Sequence, residues 1–83
     1  MKRNTIDSKF YLKLGDILNY QRRKKGYSLR YLAEVTGISR TTLDKYEMGK
    51  SRIDEIRWKT ICKALQLPEQ VHVKIALGQR DYE

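Results

Sequence analysis

Two short stretches of helical periodicity, joined by a brief glycine-containing turn, constrain this chain more than any other feature of its 83 residues. Ser28 stands before Leu29, Leu32, Ala33 and Val35, whose spacing marks the apolar face of a short helix. Gly37 ends that helix, where left-handed backbone serves best and glycine adopts it without penalty. Ile38 follows, and Ser39 caps a second short helix with Leu43 and Tyr46 on its inner face. Ala33 is small where the two helices must cross closely. Ile38 and Leu43 fill the angle between them, so the second helix is held rigid and stands proud of the body.

The flanking segments read as further helices. Phe10, Leu14, Ile17, Leu18 and Gln21 recur at three- and four-residue spacing and predict a helix from about Ser8 to Lys25, capped by Asp7 or Ser8. Gly15 inside this pattern leaves a second reading, in which the helix begins near Leu14 and residues 8–13 form an extra turn or a separate arm. Met48-Gly49-Lys50-Ser51 breaks the helix that follows Ser39. Asp54 then caps a fourth, with Ile56, Trp58, Ile61, Cys62 and Leu65 as its apolar stripe and Leu67-Pro68 at its end. In the last segment Pro68, Glu69 and Gly78 punctuate a fifth helix, whereas Val71, Val73, Ile75 and Leu77 alternate as a dimer-forming strand would. We favour the helix and keep the strand as its competitor; residues 79–83 are expected to fray. There are no repeats, low-complexity tracts or linkers, so residues 1–83 are expected to form one domain.

Composition narrows the partners. Lys and Arg number 18 against 10 Asp and Glu, a net charge of +8, which calls for a polyanion: nucleic acid or an anionic membrane. Cys62 is the only cysteine and His72 the only histidine, so neither a disulfide nor a zinc cluster can be assembled, and no cofactor is expected. Cys62, between Ile61 and Leu65, reads as a small buried hydrophobe. No apolar run approaches the roughly 20 residues that span a membrane. Met1-Lys2-Arg3-Asn4-Thr5 is charged with no hydrophobic stretch after it, so no secretory signal is read and the cytoplasm is the expected compartment.

The glycine-joined pair has the physics of a helix-turn-helix, whose second helix enters a major groove. Gly26-Tyr27-Ser28, Leu32-Ala33-Glu34, Gly37-Ile38-Ser39-Arg40 and Tyr46-Glu47-Met48-Gly49-Lys50, in that order and at those intervals, resemble the signature of the Cro/cI-type (XRE) family of transcriptional regulators. The likeness runs without a gap from Gly15 to about Leu67. It implies an all-α fold, a small four- to five-helix bundle of the lambda-repressor-like DNA-binding type, with a short C-terminal strand as the variant. The motif would occupy residues 29–46, the recognition helix about 40–47, and a dimerisation tail 68–78.

The resemblance also implies roles. Arg40, Thr41, Asp44 and Lys45 stand at the family's base-reading positions. Arg can fork onto guanine O6 and N7, Thr can pack on a thymine methyl or use its hydroxyl, and Lys can donate to guanine. Asp44 would accept from a cytosine amine or orient Arg40. Ser28, Arg30, Ser39, Lys50, Ser51 and Arg52 are the phosphate candidates at the motif's edges. Nine basic residues against three acidic ones lie between Arg22 and Arg52, so the excess charge surrounds the motif. In the family an arginine and a glutamate at the positions of Arg22 and Glu47 commonly pair inside the fold; one more phosphate contact is the other reading of Arg22. Leu29 and Met48 stand where the family often has glutamine and asparagine, and those phosphate contacts are lost, with Arg30 or Tyr31 as replacements. Ile53 stands where proline is usual, and Glu55 where a core leucine is, which suggests a fourth helix shifted by a residue.

Function follows as a set of expectations. The first is a sequence-specific regulator, a repressor, that binds double-stranded DNA as a homodimer on a short palindromic operator. One recognition helix reads only about four base pairs, each contributing roughly 1–3 kcal/mol, too little to select a genomic site alone. The alternative is an antitoxin or restriction-modification controller that binds DNA but works with a protein partner, a toxin or the transcription machinery. An enzyme fails on inventory, since no catalytic constellation can be drawn from one His and one Cys without a Gly-rich phosphate loop. A membrane-surface helix is excluded because the basic run caps a helix that already has a core to pack against.

Overall fold

Three of the four helices start at a side-chain cap. The computed structural model describes residues 2–68 and 70, with side chains from residue 9 onward. Its helices are α1 (Lys2–Lys24), α2 (Leu29–Thr36), α3 (Arg40–Glu47) and α4 (Glu55–Leu65), and no strand occurs among the described residues. Ser28, Ser39 and Asp54 each sit in extended backbone and accept from the third helical amide. The donors are Tyr31 N at 3.0 Å, Thr42 N at 3.1 Å and Arg57 N at 2.8 Å. These caps satisfy amides that the helices themselves leave unpaired. Gly37 closes α2 in the left-handed region, φ 77°, its amide donating to the Ala33 carbonyl at 2.9 Å.

The core draws one stripe from each helix. Leu14 and Leu18 of α1, Leu32 of α2, Leu43 and Tyr46 of α3, and Trp58, Ile61, Cys62 and Leu65 of α4 are buried, with Ile38 and Ile53 from the connections. α3 packs on both α1 and α2, and α2 also packs on α4. The recognition-helix candidate is thus clamped from two sides. No helix among the described residues is long and apolar enough to cross a membrane.

Two expectations are corrected here. α1 begins at Lys2 rather than at Ser8, and it runs unbroken through Gly15, so no cap at Asp7 or Ser8 forms and no new start occurs near Leu14. Gly15 serves a close approach instead. A Cβ at Gly15 would lie 2.6 Å from the Glu47 carbonyl oxygen and closer still to that of Tyr46, so only glycine lets α1 cross the end of α3. The second correction concerns two apolar residues read as inward: Val35 is 49% exposed rather than on the inner face of α2, and Ile56 is 77% exposed rather than part of the α4 stripe. Trp58, Ile61, Cys62 and Leu65 follow each other at three- and four-residue spacing, and a residue two places before Trp58 falls on the opposite side of the helix. The competing readings of residues 68–78 concern Glu69 and the segment past Gln70, which lie outside the described residues.

Candidate nucleic-acid interface

The inward residues of α3 determine which residues face out. Leu43 and Tyr46 are buried, so the helical period turns Arg40, Thr41, Asp44 and Lys45 to solvent, and all four are exposed. They form one continuous face along an eight-residue helix. No ion pair joins Asp44 to Arg40 among the described residues.

Both ends of α3 are tied down. At the start, Ser39 Oγ accepts from Thr42 N, while its hydroxyl donates to Thr42 Oγ1 at 2.8 Å. The turn before it is braced by Thr36, whose hydroxyl donates to the Leu32 carbonyl at 2.7 Å and accepts from Ile38 N at 3.2 Å. At the end, Arg22 and Glu47 meet: Arg22 Nε donates to Glu47 Oε2 at 2.6 Å and Nη2 to Oε1 at 3.0 Å, a bidentate pair. Their side chains are only 11% and 6% exposed. The remaining edge of Arg22 donates to the Tyr27 carbonyl at 2.8 Å, so the guanidinium joins α1, the connection to α2 and the end of α3. The Glu47 hydrogen bonds raise the Arg22 pKa above its ordinary value, against the opposing effect of burial.

Asn19 belongs to this network and was not singled out from the sequence. Its Nδ2 donates to Glu47 Oε1 at 2.7 Å. The signal was present: Gly15, Asn19 and Arg22 are spaced by four and three, hence on one face of α1. Arg57 is a second addition. Its Nη1 donates to the Tyr46 hydroxyl at 3.2 Å, linking α4 to α3, and that bond is the chief cause of its raised pKa.

The phosphate candidates stand at the starts of α2 and α3 and in the connection to α4. Ser28 and Arg30 open α2, and Ser39 precedes α3; all three are exposed. Lys50 and Arg52 are exposed and Ser51 half-buried in the connection to α4. The oxygens of Ser28 and Ser39 are engaged as caps, which leaves the early backbone amides of α2 and α3 as the donors at those points. Leu29 is half-buried and packs against the core, whereas Met48 is exposed. Among the described residues no group of His, Cys, Asp and Glu is arranged to hold a metal ion.

Comparison with known proteins agrees with this architecture. The helix-turn-helix family model HTH_3 matches residues 18–71. An HTH-type transcriptional regulatory protein of Pyrococcus abyssi (strain GE5 / Orsay) is 41% identical in a match covering 86% of this chain. The chain spans only 25% of that relative's length. Among solved structures, the clp gene regulator ClgR from Corynebacterium glutamicum matches with a TM-score of 0.74 at 29% identity, over 83% of this chain and 73% of that one. An HTH_3 family transcriptional regulator from Vibrio cholerae matches with a TM-score of 0.74 at 25% identity, over 83% of this chain and 39% of that one. The family match takes in more than half of the residues, and the chain belongs to the helix-turn-helix family HTH_3.

Proposed function

We propose that this chain is a sequence-specific, double-stranded-DNA-binding transcriptional regulator, a cytoplasmic repressor that acts as a homodimer on a short palindromic operator. The observation that carries the reading is the exposed face of Arg40, Thr41, Asp44 and Lys45 on a helix fixed at both ends. A helix that reads base edges must be presented rigidly, since every degree of freedom lost on binding weakens the complex. In this reading those four residues contact bases, while Ser28, Arg30, Ser39, Lys50, Ser51 and Arg52 position the domain on the backbone. Arg22 and Glu47 act only through the fold. Homodimerisation doubles the base pairs read, and the apolar residues between Val71 and Leu77, outside the described part, are the proposed means. The chemistry is binding without catalysis.

Two substitutions test the assignment on a duplex selected from a random pool. Arg40→Ala is expected to weaken binding by roughly 1–3 kcal/mol per half-site and to relax the preference at one base pair in each. Lys50→Ala is expected to weaken all duplexes about equally and to lower the salt slope by about one per half-site. Repeating the selection with each variant checks both. An unchanged consensus for Arg40→Ala, together with an altered one for Lys50→Ala, means that the recognition helix is in another register.

A further inference from the structure

The interface between residues 22 and 52 carries three acidic residues, Glu34, Asp44 and Glu47, in strongly basic surroundings. Each adds repulsion toward any polyanion, so each needs a reason to be there. Glu47 is held by Arg22 and Asn19. Glu34 is exposed on α2, four residues after Arg30, and has no ion pair among the described residues. It lines an open groove of about 600 Å³ between α2 and the start of α3, together with Arg30 and Arg40. Asp44, the intrahelical neighbour of Arg40, does not line this groove.

We infer that Glu34 is a specificity-determining residue that positions Arg40 on its base from across the groove. This rests on the DNA-binding reading above and deepens it. A guanidinium has five donors in a rigid fork, and guanine O6 and N7 occupy only one edge of it. A carboxylate on the other edge fixes the plane of the fork and repels the pair from the phosphates. Without that carboxylate, a long cation beside the backbone settles on the nearest phosphate, a contact that carries no sequence information. Glu34 thus acts mainly against wrong sequences, because specificity is a difference between two affinities.

A double-substitution cycle tests this on two duplexes, one selected from a random pool and one scrambled. Glu34→Gln is expected to lower the selected-to-scrambled affinity ratio about tenfold, the low end of what a bidentate arginine–guanine pair discriminates, chiefly by tightening scrambled binding. In the presence of Arg40→Ala the same change is expected to have no further effect on the ratio, since the side chain it positions is gone. Glu55→Gln, which also removes one negative charge but at an exposed position on α4 outside the groove, is expected to show no coupling to Arg40→Ala. Equal tightening on both duplexes by Glu34→Gln, or independent losses from Glu34→Gln and Arg40→Ala, overturns the inference. A wild-type chain that binds neither duplex overturns the DNA-binding reading instead.

Discussion

Arg22→Ala is expected to lower the melting temperature by roughly 12–24 °C, corresponding to about 3 kcal/mol at the 4–8 °C per kcal/mol typical of a domain this size. The side chain forms two hydrogen bonds to Glu47 and one to the Tyr27 carbonyl while only 11% exposed. Truncation leaves the Glu47 carboxylate, 6% exposed, with Asn19 as its remaining partner. An ion stranded in a mostly dry site loses solvation that one amide does not restore, which places the effect at the lower end of that expected for a broken buried pair. The double variant Arg22→Met/Glu47→Leu is expected to recover much of the loss, because it removes both charges and keeps the volume. Thermal unfolding followed by circular dichroism checks both. A melting temperature for Arg22→Ala within a few degrees of wild type contradicts the account of the network.

Gly15→Ala is the second large effect, and its sign is the informative part. In an isolated helix, alanine at this position stabilises by up to roughly 1 kcal/mol, because glycine loses more freedom on folding. Here the new methyl group meets the Tyr46 and Glu47 carbonyls, which are backbone and cannot rotate away. α1 has to move off α3, which opens the Leu14 and Leu18 contacts beneath. A net destabilisation of about 2 kcal/mol or more is expected, within the usual range for overpacking. Chemical denaturation measures it directly, and a stabilised Gly15→Ala protein means that α1 and α3 do not cross there.

The same glycine shows where the sequence ceases to be legible. Ser28, Ser39, Asp54 and Gly37 were readable because a cap is a local event, decided by a residue and the three or four that follow it. Leu32, Leu43, Trp58 and Leu65 were readable because a periodic apolar stripe has only one way to face a core. Gly15 was ambiguous, since local reasoning treats a glycine within a helix as a weak point and cannot see a carbonyl arriving from another helix. Ile56 was misplaced for a related reason: hydrophobicity marks what a residue prefers, whereas its angular position beside Trp58 decides what it touches. At the site, the outward face of α3 followed from its inward face. Asn19 and Glu34 did not, because Asn19 meets Glu47 only when α1 folds against α3, and Glu34 shares a groove with Arg40 only through the angle between α2 and α3.

Equilibrium binding to a selected duplex over a series of salt concentrations tests the central claim most directly. If the basic residues around α2 and α3 neutralise phosphates as proposed, counterions are released and log affinity is expected to fall linearly with log salt, with a slope of several units for the proposed dimer on one site. A flat plot, or no retention of any duplex at low salt, contradicts the account.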